Sequence, residues 1–558
     1  MDVVIRTLAI MEFRFRIRVH RRVPRLDKYS TSSAGEAAAF IDLLPIDERT
    51  SRDLHTDKDM EGSLCSPNKK TRREAKRDRL SELPDDILLN ILERVDTLDA
   101  LRTCILSKRL LRLPAMFSRF DINIRSLTRH HGRAWLSLGS STSTDIALCD
   151  IARYNNALAA VTEKILCASR LEVPVIHELK VTCYLRPDEC LPAITRAFAC
   201  IMATHKVDNA EFVPLVEKPF PECTAEEREC YAKVFNFCLA DCPAAFAGLT
   251  RLCLRSMWFH KVDIPNILTT CRRLEYLLLS CCRVGVYSVV LQVEHAQLVE
   301  LHIEHVHFVA VHLKRVPKLQ RLTCAGWLYP ANPLSFGYVP QLSKLKLVEA
   351  GVSSTKNLQF SQLLAHVPSI SDLHLDFRSE KIWVVPESPK LLAPVFGKLK
   401  IVNLDNLPEG CDIAWTMFIL EAALSLREIC ITVWDHWCTM VKDKDNRRRR
   451  GYCEKANVEW EPSASSGFKH KNLVKLTIYG FQPDENMVRY VRRIMEVAVN
   501  IGEISLHDRK TDYCCHDKIK DCPSTYPTTA EEMDMLRVEI TKGLGTVASP
   551  AVIHFRSK

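Results

Sequence analysis

The sequence predicts an α/β protein in two parts, a short all-α segment of three helices followed by an irregular solenoid of strand-and-return repeats. Three observations carry this. Residues 83–113 place apolar side chains at helical spacing, and an L-x-x-L-x-L pattern then recurs eleven times between Ile176 and Leu506. Most neighbouring copies lie about 21 to 29 residues apart, the period of stacked strand units.

The helical segment opens at Arg79-Leu80-Ser81-Glu82-Leu83-Pro84-Asp85-Asp86. Pro84 suits a first helical turn, where its missing N–H would have no partner, and Asp85 and Asp86 complement the positive helix end. Behind them Ile87, Leu88, Ile91, Leu92 and Val95 form an apolar stripe, with Glu93 and Arg94 on the other face. Thr97 is expected to cap a second helix from Leu98 to Ser107, whose buried side carries Leu98, Leu101, Cys104 and Ile105. Lys108 to Leu113 adds a last short turn stopped by Pro114. A unit of about forty residues buries too little apolar surface to be stable alone, so it is expected to have a partner.

Leu83-Pro84-Asp85-Asp86-Ile87-Leu88, Ile91-Leu92 and Arg102-Thr103-Cys104-Ile105-Leu106-Ser107-Lys108-Arg109 resemble the plant F-box, helical spacing included. The resemblance implies a three-helix F-box over 79–120 that docks onto a Skp-type adaptor and through it onto a cullin. Members of that family are the substrate receptors of SCF ubiquitin ligases. It also implies Leu83, Pro84, Ile87, Leu88, Ile91 and Leu106 as the adaptor contacts. The chain departs from the family pattern at Leu110 and Leu113-Pro114, where members carry Trp. Without the resemblance the same residues read as a helical hairpin packed on its own core.

The ladder runs Ile176-x-x-Leu179-x-Val181, Leu249-x-x-Leu252-x-Leu254, Leu274-x-x-Leu277-x-Leu279 and onward to Ile501-x-x-Ile504-x-Leu506. Each L-x-L puts two apolar side chains on one face of a short strand, which no single repeat can bury and which stacked neighbours can. Ile264-Pro265-Asn266-Ile267-Leu268 and Phe360-Ser361-Gln362-Leu363-Leu364 have helical spacing and suit the return paths. The period is that of leucine-rich repeats, so 121–470 is read as an irregular leucine-rich-repeat solenoid. Val207-x-x-Ala210-x-Phe212 reads as a degraded repeat filling the first long gap. A second gap holds Arg447 to Arg450 and the Ser-rich run Glu461 to Gly467, read as an exposed insert near 438–470. Leu473 to Phe481, then a helix with Met487, Val488, Val491, Ile494, Met495 and Ala498 on one face, resembles the FBD module of plant F-box proteins. Residues 471–510 are accordingly read as a terminal repeat or cap, and 511–558 as a C-terminal tail.

Composition narrows the function classes. The 558 residues are 47% hydrophobic, and the 23 cysteines are scattered through the apolar pattern, as in reduced, buried thiols. No phosphate loop, HExxH helix or GxSxG elbow is present, and no enzymatic role or cofactor is expected. His507, Cys514, Cys515, His516 and Cys522 match no paired metal spacing. His302, His305, His307 and His312 read as surface histidines around one strand and its turn. The net charge of +9 is modest for the length and lacks interleaved aromatic platforms, so nucleic-acid binding is not expected. No apolar run is long enough for a membrane span. Residues 1–78 read as a disordered basic segment, with Met60 as an alternative start and the run Asn68 to Arg77 as a nuclear address, placing the protein in the nucleus and/or cytoplasm. The function expected is that of a non-catalytic receptor, which binds a Skp-type adaptor through the F-box and a protein substrate through the repeats. The alternative is a ligase-independent binding scaffold with a degenerate F-box.

Overall fold

The computed structural model describes residues 82–128, 148–166, 171–186, 190–218, 222–285, 289–306, 308–326, 334–348, 358–379, 382–434, 467–509, 524–544 and 551–556. The chain divides into two units, 1–69 and 70–558, and every described residue lies in the second. The expected N-terminal segment, the insert through Ser466 and most of the Cys514–Cys522 cluster fall outside the described residues.

The ladder forms a parallel sheet of fourteen strands among the described residues. In sheet order they are Arg119–Asn123, Val175–Tyr184, Lys206–Leu215, Arg251–Arg255, Tyr276–Ser280, Glu300–Glu304, Arg321–Ala325, Lys344–Val348, Asp372–Asp376, Ile401–Leu407, Glu428–Val433, Lys475–Tyr479, Glu503–His507 and Val552–Arg556. Sheet order equals chain order. The apolar positions therefore stack: Leu301, Leu322, Leu345, Leu373, Val402, Ile429, Leu476 and Ile504 stand in one register, none more than 4% exposed. A one-residue slip at any strand would turn its whole apolar set to the wrong face.

Most strands start with the same backbone device. The Val299 carbonyl accepts from the amides of Gln320 and Arg321 at 2.8 and 3.1 Å, and the Gln320 carbonyl accepts in turn from Ser343 and Lys344 at 3.1 and 2.9 Å. Ser343, Ser371, Lys400, Arg427 and Val474 repeat the pattern. At the far end, Ser256, Cys281, His305, Gly326 and Gly480 take positive φ one residue past their strands, and Asn406 does so after Asp405. The chain then turns inward, burying Met257, Cys282, Val306, Phe481 and Leu407. At Gly480 space as well as φ demands glycine, because a Cβ there would lie 2.0 Å from the Val433 carbonyl oxygen.

Parallel neighbours need a crossover, and its form follows repeat length. The repeats opened by Leu274, Leu298 and Leu319, each about 21 to 24 residues long, return through the strands Val290–Glu294, Ala310–Arg315 and Leu334–Tyr338, which form a second sheet. Val290 to Glu294 alternates exposed and buried residues as a half-buried strand should. Longer repeats return through helices at Asp263–Thr270, Phe360–Leu363, Pro389–Phe396, Met417–Ala422 and Glu485–Val497, three of them at the stretches read as helical from sequence.

The degraded repeat is the strand Lys206–Leu215. Its pairing with the next strand covers only Glu211↔Arg251 and Phe212↔Leu252, and the buried Thr250 completes it. The Thr250 hydroxyl accepts from the Ala210 amide at 2.9 Å and donates to the Ala210 carbonyl at 3.1 Å. Arg273 adds bonds to the carbonyls of Val207 and Asp208 at 3.1 and 3.3 Å.

Three expectations are corrected, and one domain boundary falls within a strand. The second helix is Thr97–Cys104 and its cap is Asp96, whose carboxylate accepts from the Leu98 amide; Thr97 is buried and accepts instead from the Asp121 amide at 2.7 Å. Pro114 does not stop the third segment but lies inside a 3₁₀ helix, Leu110–Met116, where fewer amides are required. The boundary drawn at 120 cuts the strand Arg119–Asn123, which pairs with Val175–Tyr184. Residues 511–558 are not simply a tail. Helix Ala530–Thr541, opened by a Thr529/Glu532 capping box, is held at its last turn by Arg492 bonds to the Glu539 and Ile540 carbonyls, and Val552–Arg556 extends the sheet beside Glu503–His507.

Two buried histidines tie repeats together. His295 Nδ1 accepts from the Gln297 and Leu298 amides while Nε2–H donates to the Cys271 carbonyl at 3.0 Å. His470 repeats this with Asn472, Leu473 and the Ala423 carbonyl. Both roles of the ring need the neutral form. Burial pulls both pKa values below 6.5, against a smaller opposing effect of the carbonyl bonds. The unfolded chain thus binds protons that the folded one excludes, and stability falls as pH drops below about 6.5. Urea midpoints should be lower at pH 5.5 than at 7.5, and a His295→Ala/His470→Ala variant should be less stable at both but show a shallower pH slope.

Candidate functional site

The first helix, Asp85–Leu92, begins at Pro84, and the Pro84 carbonyl accepts from the Leu88 amide at 3.0 Å. Leu88 and Leu92 point inward, 1% and 5% exposed, and pack in the module with Leu98, Cys104, Leu110 and Leu113. On the outside, Ile87 is 44% and Leu106 65% exposed, Pro84 is exposed, and Leu83 and Ile91 are half-buried. Of the six expected contacts, five therefore reach the surface and Leu88 does not. Leu110 and Leu113, which stand where the family carries Trp, are buried, so those departures alter the interior of the module and not its outer face.

Sequence reading missed what joins the two halves of this face. Arg109 Nη2 donates to the Leu83 carbonyl at 2.7 Å and to Asp85 Oδ1 at 2.5 Å, across 26 and 24 residues. A local periodicity carries no trace of such a contact.

The module is fused to the sheet. Glu93 Oε1 accepts from the Ser118 amide and hydroxyl at 2.6 and 2.9 Å, and the Ser118 carbonyl accepts from the amides of His177 and Glu178. Arg102 bridges Asp99 and the Ser126 carbonyl. Burial at this junction pushes the Asp96 carboxyl up to about 6, despite the hydrogen bond it accepts from the Leu98 amide. The partner that the helices need is thus met in part by their own sheet, through Phe117, Phe120 and Ile122.

The sheet's second face carries the residues between the leucines. Cys253, Leu278, His302, Thr323, Lys346, His374, Asn403 and Cys430 form one registered row. Flanking charges are paired across strands, as in Glu300 with Arg321, Lys344 with Asp372 and Lys475 with Glu503. His302, expected at the surface, is half-buried between Glu300, at 2.6 Å, and the Tyr276 ring, with centroids 5.2 Å apart. Arg251 lies over the other side of the Tyr276 system at 4.0 Å. His374 binds Asp405, which also accepts from Thr432; burial acts to raise the Asp405 pKa, but these bonds hold it below the usual carboxylate value. His305 is exposed and bonded by Arg378, His312 is half-buried on the second sheet, and His307 lies outside the described residues. Among the described residues no group of three His, Cys, Asp or Glu is arranged to hold a metal, and His507 instead stacks on Tyr479. The fifteen cysteines whose side chains are described are free thiols, nine of them buried. No described helix is long and apolar enough to cross a membrane.

A helical docking module fused to a leucine-patterned parallel sheet defines an F-box protein with leucine-rich repeats, and comparison with protein families agrees. Residues 80–120 match the F-box domain. Residues 236–544, more than half of the chain, match the family described as At1g61320/AtMIF1, LRR domain, and the chain belongs to that family. The match includes 471–510 and the helix Ala530–Thr541, and begins after the strand Lys206–Leu215. No curated protein matches the chain. F-box domains generally bind Skp-type adaptors, and this domain pair is typical of non-catalytic adaptor or receptor proteins, with no enzymatic family indicated.

The burial pattern separates packing from display. Leu88→Ala should lower stability by about 2–5 kcal/mol, whereas Leu106→Ala should change it by less than about 0.5 kcal/mol. Denaturant titration of the two variants measures the contrast.

Proposed function

We propose that this chain is the substrate-recognition subunit of an SCF-type ubiquitin ligase. The F-box binds a Skp-type adaptor, and through it a cullin, while the repeats act as a solenoid that holds a protein substrate. The observation that carries the reading is the display of Ile87 and Leu106, beside Leu83, Pro84 and Ile91, on a module whose interior is filled by Leu88, Leu92, Leu98, Leu110, Leu113 and Phe117; Leu111 and Met116 are exposed as well. Exposed apolar side chains gathered on a small module mark an interaction surface. Those five residues are the proposed contacts, with Leu88 supporting them from inside.

The second sheet face supports substrate binding by its chemistry. Several of its charges are paired across strands, and His302, Thr323, Asn403 and Cys430 stand among them as half-buried groups that a protein surface can address. Catalysis would come from proximity: a bound substrate meets the ubiquitin-loaded enzyme at high effective concentration, with no side-chain chemistry from this chain. We place the protein in the nucleus and/or cytoplasm, where that machinery works.

Pull-down of a plant Skp adaptor by the full chain, beside a Leu83→Ala/Pro84→Ala variant, tests the proposal. Clear capture that the variant loses is the expected result. No capture by the unaltered chain would instead make it a ligase-independent binding scaffold with a degenerate F-box.

A further inference from the structure

We propose that Arg109 is a positioning residue for adaptor docking, fixing the Leu83–Pro84 lead-in against the segment that carries Leu106. The proposal rests on the receptor reading above. The first helix has no side-chain cap at its start, because Pro84 occupies that place and offers neither an N–H nor a side-chain acceptor. Locally the lead-in is tied to the helix only through the backbone, where the Pro84 carbonyl accepts from the Leu88 amide. Arg109 supplies the orientation from 26 residues away, with one guanidinium nitrogen shared between the Leu83 carbonyl at 2.7 Å and the Asp85 carboxylate at 2.5 Å.

The two possible effects of this contact differ in size. Its ion pair is solvent-accessible, with side chains 42% and 55% exposed, and exposed pairs add little to folding stability. Its geometric effect is larger for binding. Leu83 and Leu106 belong to segments separated by the second helix, and a surface that uses both gains affinity only if they are held in one arrangement before the partner arrives. Loss of the Arg109 fork would leave the module folded and the lead-in free to sample other orientations, so ordering it would oppose binding. Sequence spacing alone gives no such link between Ser107-Lys108-Arg109 and Leu83.

The test is a double-mutant cycle in the full chain, with adaptor affinity measured for the unaltered protein, Arg109→Met, Leu83→Ala and the pair. Arg109→Met should weaken binding by about tenfold or more and leave the thermal midpoint within about a degree. If Arg109 acts by placing Leu83, its loss costs little further affinity once Leu83 is truncated. Faster amide exchange confined to residues 83–88 of the free Arg109→Met chain is the accompanying signature. Unchanged affinity, or fully additive losses as expected of a direct adaptor contact, would overturn the proposal. Should Arg109→Met unfold, the same cycle is run with Arg109→Lys, which keeps a charge near Asp85 without the fork. Absence of adaptor binding by the unaltered chain is a separate failure, that of the receptor reading itself.

Discussion

Everything in this protein depends on parallel strand pairing held in one register. A carbonyl at the start of most strands accepts two amides from the next, and the leucine rows interlock directly above that staple. Neither part suffices alone. The backbone bonds are nearly balanced by those the unfolded chain makes with water, and the apolar rows have nothing to pack on until a neighbour is in place. Each repeat is therefore a condition for the next, which is why irregular return paths are tolerated while the strand core stays uniform.

The same constraint explains how a small helical module persists. Its first sheet strand, Arg119–Asn123, continues directly from the 3₁₀ segment, and Glu93 reaches across to Ser118 at the join. Fixing the F-box to a long, stiff sheet would set the distance and angle between an adaptor and anything held along the repeats, the geometric requirement of a receptor that works by proximity. The half-buried Asp96 and the buried His295 and His470 mark where the packing depends on polar groups and not on leucines.

Much of the fold was legible in the residues because its rule is local and repeated. L-x-x-L-x-L named eleven of the fourteen strands, and Val207-x-x-Ala210-x-Phe212 pointed to a twelfth. The first strand was missed because Phe117 and Phe120 stand where the motif has leucine. The last was missed because Val552-Ile553-His554-Phe555 lacks leucine altogether, its place being set by Glu503–His507 beside it. Return paths were readable only where helical spacing was strong, as at Phe360 to Leu364. The candidate docking residues followed from a resemblance in sequence, but periodicity assigns a side chain to a stripe and not to a depth, so Leu88 and Ile87, adjacent in the chain, were grouped although one is buried and the other exposed.

The sequence by itself determined the α/β class, the helical module and the period of the ladder, because these rest on interactions within a few residues or repeated at fixed intervals. Only the tertiary structure decided the cap at Asp96, the Thr250 joint, the extension of the sheet beyond residue 511 and the Arg109 bridge to Leu83. Those contacts join groups whose separation in the chain follows no period, and they exist only once the stacked strands have brought them together.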